Sequence, residues 1–194
     1  MIEKLITYFE QQVSLSGEER GIIKKHIPVR VIEKHEDLLK AGEISSEFYF
    51  VIEGCIRLYY INNHEDKTGF FYTENDFVSS YESFTKRVPS KNNLQALEQT
   101  KVAVVTHETA YRILELFPKF EFLARIAMEQ ELSIYQEIIA GFITSTPEQR
   151  YLYLQSTKPE LIQRIPQYYL ATYLGVAPET LSRIRKRIAD KNLS

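Results

Sequence analysis

The hydrophobic period of this chain changes twice, near Val29 and near Thr106. Between those points lie short runs rich in β-branched and aromatic residues, at 29–32, 37–39, 48–52, 56–61, 69–72, 76–78, 94–97 and 101–105. Turn chemistry separates them at Ala41-Gly42-Glu43, Glu53-Gly54, Asn62-Asn63-His64, Glu74-Asn75-Asp76 and Glu98-Gln99-Thr100. Many short strands at nearly regular spacing predict an antiparallel sandwich or small barrel. Helical periodicity flanks this block on both sides, so the fold class expected is α+β. Residues 1–11 read as a short amphipathic helix. Ser16 with Glu19 forms a capping box that opens a second helix with Ile22, Ile23, His26 and Ile27 on its apolar face, stopped by Pro28.

After Thr106 a short helix is expected at 107–117, then a long one at about 119–144. The long helix carries two apolar stripes: Leu123, Ala127, Ile134 and Ile138 form one, and Met128, Leu132, Tyr135, Ile139 and Phe142 the other. A helix that only covers its own barrel needs one stripe. The second predicts a partner helix in a homodimer, and the expected interface is Leu123, Ala127, Ile134 and Ile138. A polar hinge, Thr144-Ser145-Thr146-Pro147-Glu148, then offers a Thr or Ser cap followed by an early Pro, and a helix at 148–156 follows.

The stretch 165–187 is the most specific in the chain. Pro166 suits a helix start, Leu170 and Leu174 lie one turn apart, and Ala171 is small where two helices must cross closely. Gly175 stands where the first helix needs a left-handed residue, Val176 is expected to plug the core between the helices, and Pro178 takes the first turn of the next. Leu181, Ile184 and Ile188 form one face of that second helix, while Glu179, Arg183, Lys186, Arg187 and Asp190 lie opposite. This pattern matches a DNA-binding helix-turn-helix.

The net charge of −2 hides an asymmetry: residues 146–194 carry eight Lys/Arg against four Asp/Glu, an excess of four positive charges on an otherwise acidic chain. A basic C-terminal module suits nucleic acid. One cysteine, Cys55, excludes an internal disulfide framework and a four-cysteine cluster. His26, His35, His64 and His107 are scattered without metal-ligand spacing, so no metal and no cofactor is expected. There is no apolar h-region and no long apolar window, which points to a cytoplasmic protein with no membrane partner. No nucleophile–base or paired-carboxylate constellation stands out, so the chain reads as a non-enzyme.

Barrel, long helix and helix-turn-helix in this order resemble the Crp/Fnr family of bacterial transcription regulators. Residues 48–60 (FYFVIEGCIRLYY), the 90–98 segment and 178–186 (PETLSRIRK) are similar to a branch common in Bacteroidetes, and the Gly42 and Gly54 turns agree. The resemblance implies a double-stranded β-helix of the cyclic-nucleotide-binding type. It divides the chain into a sensor barrel with N-terminal helices at 1–117, a dimerisation helix and hinge at 118–145, and a helix-turn-helix domain at 146–194. It also implies double-stranded DNA with an inverted repeat as partner, and a small-molecule effector in the barrel.

In members that bind cyclic AMP, a phosphate cassette holds Gly-Glu-Leu and, about ten residues later, Arg-Ser. Here Asn75-Asp76-Phe77 replaces the preceding Gly-Asp-Phe turn, with Asn able to take Gly's left-handed role. Ser79-Ser80-Tyr81 replaces Gly-Glu-Leu, and Ser90-Lys91, followed by Asn92, replaces Arg-Ser. The phosphate arginine and ribose carboxylate are both missing, so cyclic AMP is not expected to bind in the usual way. Lys86, Arg87 and Lys91 offer positive charge only from another register. The resemblance also assigns Glu179 and Arg183 to base reading, and Gln167, Tyr168, Thr180, Arg185, Lys186 and Arg187 to phosphates. The chain ends at Lys191-Asn192-Leu193-Ser194 without the β-hairpin wing that many members add. The alternative is a small-molecule sensor whose C-terminal helices dock protein rather than DNA.

Overall fold

The computed structural model describes residues 1–192; Leu193 and Ser194, part of the tail on which the missing wing was read, lie outside the described residues. The chain divides into two compact units, residues 1–60 with 70–130 and residues 61–69 with 131–194.

The first unit holds the barrel. Helices α1 (Glu3–Glu10) and α2 (Gly17–His26) precede strands β1 (Val29–Ile32), β2 (Asp37–Leu39), β3 (Glu47–Glu53), β4 (Ile56–Asn62), β5 (Glu65–Tyr72), β6 (Phe77–Val78), β7 (Asn93–Ala96) and β8 (Thr100–Thr106), with α3 (Tyr81–Lys86) between β6 and β7. Two four-stranded sheets result, ordered β1-β8-β3-β6 and β2-β7-β4-β5. The expected strands are all present. Two differences stand out: β5 begins at Glu65 because hairpin pairing carries it through the charged residues 65–67, and the 81–86 stretch is helical.

The capping box of α2 forms as the sequence requires, with the Glu19 amide donating to Ser16 Oγ at 3.2 Å and the Ser16 amide to Glu19 Oε2 at 2.7 Å. Lys119 Nζ lies 2.9 Å from that carboxylate. Burial pushes the Glu19 carboxyl up, but the bonds from Lys119 and Ser16 outweigh it and hold the group below its ordinary value. Asn75 is left-handed at φ 73°. Gly54 is left-handed too, and a Cβ there would fall 2.7 Å from Thr100 Cα, so only Gly lets β3 turn into β4 against β8.

A core of Leu5, Ile6, Ile23, Phe50, Ile52, Ala103, Val105 and Ile113 joins the N-terminal helices to one sheet. Aromatic edges knit it further: Phe50 and Phe77 lie 5.1 Å apart, and Phe9 meets Phe120 edge-on at 5.7 Å. Helix α4 (His107–Leu116) starts at a Thr106 cap, and α5 (Lys119–Thr144) adds Phe120 and Leu123 to the same core.

The second unit is helical apart from the β4–β5 tip. It holds the C-terminal half of α5, then α6 (Pro147–Thr157), α7 (Pro159–Arg164), α8 (Gln167–Tyr173) and α9 (Pro178–Asn192). Thr146 caps α6 with a capping box to Gln149, and Pro147 begins the helix. Helix α7 is an addition to the sequence expectation; Pro159 occupies its first turn and Leu161 is buried. Tyr151, Leu154, Leu161, Ile165, Leu170, Ala171, Leu174, Leu181, Ile184 and Ile188 are all buried.

Candidate nucleic-acid interface

Helix α8 ends because Gly175 can take φ +72°. The Val176 amide donates to Ala171 O at 2.9 Å and the Gly175 amide to Thr172 O at 3.1 Å, which is the paired bonding of a Schellman motif. A Cβ at Gly175 would lie 2.9 Å from Phe142 Cε1. Ala171 is fully buried, as its small size at a helix crossing requires, whereas Val176 is only half-buried. Gln167 Nε2 donates to Pro178 O at 3.1 Å, tying the start of α8 to the start of α9.

Burial of Leu181, Ile184 and Ile188 turns the opposite face of α9 outward. Glu179, Thr180, Arg183, Arg185 and Lys186 are exposed, and among the described residues Arg183, Arg185 and Lys186 make no ion pair. Arg187 differs: its Nη1 pairs with Glu148 Oε2 at 2.7 Å, while Lys191 reaches Glu148 Oε1 at 3.1 Å. These two contacts bind α9 to α6, so Arg187 acts inside the domain as well as on its surface. Gln167 likewise has an internal partner. Tyr168, at the start of α8, is 43% exposed, and partial burial together with the charge of Asp66 in the β4–β5 tip pushes its hydroxyl above the ordinary value.

Arg150 is a residue that sequence reasoning missed. It donates from Nη1 to Ser145 O at 2.6 Å and from Nη2 to Leu174 O at 2.8 Å, and its guanidinium lies over Phe142 at 4.5 Å. It thereby clamps the end of α5, the hinge and the α8 turn. A lone Arg on a short helix carries no sequence signal for this.

The two stripes of α5 fare differently. Leu123 is buried in the core of the first unit and is unavailable to a partner; Ala127, Ile134 and Ile138 are half-buried. In the other stripe Leu132 at 57%, Ile139 at 58% and Phe142 are exposed, while the exposed Phe122 and Ile143 belong to neither stripe. The interface expected from the first stripe therefore needs correction at Leu123.

In the barrel, Ser80, Ser90 and Asn92 are buried, with Ser79 half-buried and Tyr81 and Lys91 exposed. Ser80 Oγ lies 2.9 Å from both Ser90 Oγ and Asn92 Oδ1, and Ser90 Oγ is 2.7 Å from Asn92 O. Asn92 Nδ2 is buried without a hydrogen-bond acceptor. The nearby cations point elsewhere. Lys86 and Lys91 both pair with Glu82 at the surface, at 3.2 and 3.1 Å, and hold its carboxyl below the usual range. Arg87 Nη1 donates to Ser45 O at 2.5 Å. The buried cluster is neutral.

A second polar set lies across β2, β7 and β4, with Arg57 buried and Gln95 and Asp37 half-buried. Arg57, 2% exposed, donates from Nε and Nη2 to Gln95 Oε1 at 3.1 and 2.9 Å and lies over the Tyr59 ring at 4.0 Å. Gln95 Nε2 in turn donates to Asp37 Oδ1 at 3.1 Å. Nothing in the alternation of β4 marks Arg57 as buried, since a charged strand residue usually faces water.

Residues 29–116 match the family model of the cyclic nucleotide-binding domain. No curated protein matches the sequence. Among solved structures, a CooA mutant from Carboxydothermus hydrogenoformans aligns with a TM-score of 0.72 at 17% identity, covering 91% of this chain and 82% of that one. CLP of Xanthomonas campestris, a global regulator responsive to c-di-GMP, gives 0.72 at 17%, covering 90% and 93%. FixK2 from Bradyrhizobium japonicum gives 0.74 at 16%, covering 86% of each chain. The chain thus contains a cyclic-nucleotide-binding-type barrel and shares its α+β fold with Crp/Fnr-type regulators.

Proposed function

We propose that this chain is a homodimeric, DNA-binding transcription regulator of the Crp/Fnr type, acting in the cytoplasm, whose barrel does not hold cyclic AMP. The observation that carries the reading is the α8–α9 pair: a Schellman turn at Gly175, a buried seam through Ala171 and Leu181, and an outward face with Arg183, Arg185 and Lys186 unpaired among the described residues. In this motif the second helix enters the major groove and its N-terminal residues read base edges. Arg183 can bond guanine O6 and N7, and Glu179 can accept from a cytosine amino group. Thr180, Arg185, Lys186 and Tyr168 serve phosphates, which position without specifying.

The dimer reading is supported by Met128, Leu132, Tyr135, Ile139 and Phe142. These advance by four, three, four and three residues, the spacing of a coiled-coil seam, and three of the five are exposed. A two-fold dimer calls for an inverted repeat with half-site centres roughly 34 Å apart.

The test is selection of bound duplexes from a random pool, followed by anisotropy titrations at two salt concentrations. An inverted repeat should emerge. Arg183→Ala should cost on the order of 1–3 kcal/mol and relax preference at one base position, while Lys186→Ala should weaken all sequences alike and lower the salt slope by about 1. An equal loss on every sequence for Arg183→Ala defeats the base-reading assignment, and a pool that yields no preferred sequence defeats the DNA reading. In sedimentation, Ile139→Asp should shift the protein from dimer toward monomer by burying a carboxylate in the seam.

A further inference from the structure

Two helix C-termini meet on one side chain. Helix α5 closes with the Ser145 amide donating to Gly141 O at 3.0 Å, and α8 closes at Leu174. Their terminal carbonyls converge on Arg150 of α6. Its Nη1 donates to Ser145 O at 2.6 Å, and its Nε and Nη2 donate to Leu174 O at 3.3 and 2.8 Å. A helix C-terminus carries partial negative charge, which a guanidinium offsets, and the planar fork fixes the direction as well as the distance of each bond. The Phe142 ring lies 4.5 Å from the guanidinium carbon, and the same ring would stand 2.9 Å from a Cβ on Gly175. The polar groups of the hinge between α5 and α6 are bonded as well. Thr144 Oγ1 donates to Ala140 O at 2.8 Å, and Thr146 and Gln149 cap each other at 2.8 and 3.3 Å. Further along, Glu148 of α6 holds Arg187 and Lys191 of α9. All these residues lie in the helical unit.

Phe142 therefore has two duties. One side of it packs against Arg150 and the α8 turn, yet 45% of it is exposed, and it is the last member of the apolar seam 128–142. One ring and one guanidinium thus join the dimer seam to the seat of the helix-turn-helix. Resting on the dimeric DNA-binding reading above, we infer that Arg150 is a positioning residue for operator spacing: it seats each helix-turn-helix on the end of its own α5, so the paired α5 helices fix the separation and rotation of the two half-sites. Arg150 touches no base in this scheme. Bases are read by α9, and Arg150 decides whether two copies of α9 reach both half-sites together. One added base pair moves the half-site centres by about 3.4 Å and turns them by about 35°. A rigid pair cannot follow that change, and joint engagement is lost when geometry forbids it.

The experiment uses the full chain and the inverted repeat selected from a random pool. Duplexes with the spacer shortened or lengthened by one and two base pairs, and a duplex with a single half-site, complete the set. Wild type should bind the altered spacers more weakly than the selected one by roughly ten-fold or more, because avidity vanishes with joint engagement. In Arg150→Ala a loosened seat should bring that ratio below about three-fold. Its affinity for the single half-site should stay within about two-fold of wild type, since base contacts belong to α9. Sedimentation should still show a dimer, because Arg150 is outside the seam. Arg150→Lys keeps the charge but not the fork, so its ratio should lie between the two, and it carries the test if the alanine variant fails to fold. A residue that merely stabilised the fold would lower affinity by one factor for every spacer. An unchanged ratio in Arg150→Ala, or in Arg150→Lys where only that variant folds, overturns the proposal and leaves the DNA reading standing; so does a wild type indifferent to spacing. If no sequence is retained from the pool, the DNA reading fails and the proposal with it. A pool that retains only a single half-site removes the dimer reading and the proposal together.

Discussion

The α8–α9 pair and the 79–92 segment both carry polar residues, and these behave in opposite ways. On α9 the charged side chains face water and have few partners of their own, so they are free to meet an anionic surface. In the 79–92 segment the polar side chains that are buried bond one another, and the charged ones pair at the surface. Function needs unsatisfied valence. A helix face gains it through exposure, whereas a buried cassette holds it only by placing a charge where nothing in the protein neutralises it. Ser80, Ser90 and Asn92 are buried and bond one another with no charge among them.

Leu181→Ala should show the largest effect on this contrast. The side chain is fully buried between α8 and α9, and its loss should cost about 2–5 kcal/mol. Denaturation followed by a probe on α9 should move well ahead of the wild type; an unchanged midpoint would mean that this seam does not hold the motif together. Ser90→Ala tests the other side. It removes three buried bonds and should cost ~1–3 kcal/mol if the network is structural. A stable variant would show that the cluster is kept for a ligand instead.

Gly175→Ala comes next, at about 1–2 kcal/mol for a left-handed Ala, added to the contact with Phe142. A fall in DNA affinity larger than the fall in stability would place the α5–α8 contact in the binding geometry. The smallest expected signal is calorimetric: cyclic AMP and cyclic GMP should release no measurable heat at micromolar concentrations, because Lys86 and Lys91 pair with Glu82 and Arg87 bonds Ser45 O. Micromolar binding of either would erase the distinction between the two regions.

The parts of the molecule legible beforehand are those where one residue type has one conformational use. Gly175, Pro178, Ser16, Thr146 and Asn75 each marked a turn or cap that the structure contains. The β-rich runs placed the strands because alternation and turn residues act locally. The short helices α3 and α7 were missed, since one or two turns carry too little periodicity to register. On α5 both stripes were visible, but spacing cannot say which one the chain's own core consumes; Leu123 is spent there, while Leu132 and Ile139 are left exposed.

The sequence by itself therefore determined the order of the strands and longer helices, the α8–α9 pair around Gly175 and the outward charges of α9, because caps, turns and amphipathic faces are short-range properties. Only the tertiary structure decided which polar groups are already satisfied. Arg57 buried against Gln95, Arg150 clamped to Leu174, Arg187 paired with Glu148 and Thr68 bonded to Thr172 join residues between 24 and 104 positions apart. A hydrogen bond depends on distances of about 3 Å in space, and no local pattern of residue types encodes such a distance across a folded chain.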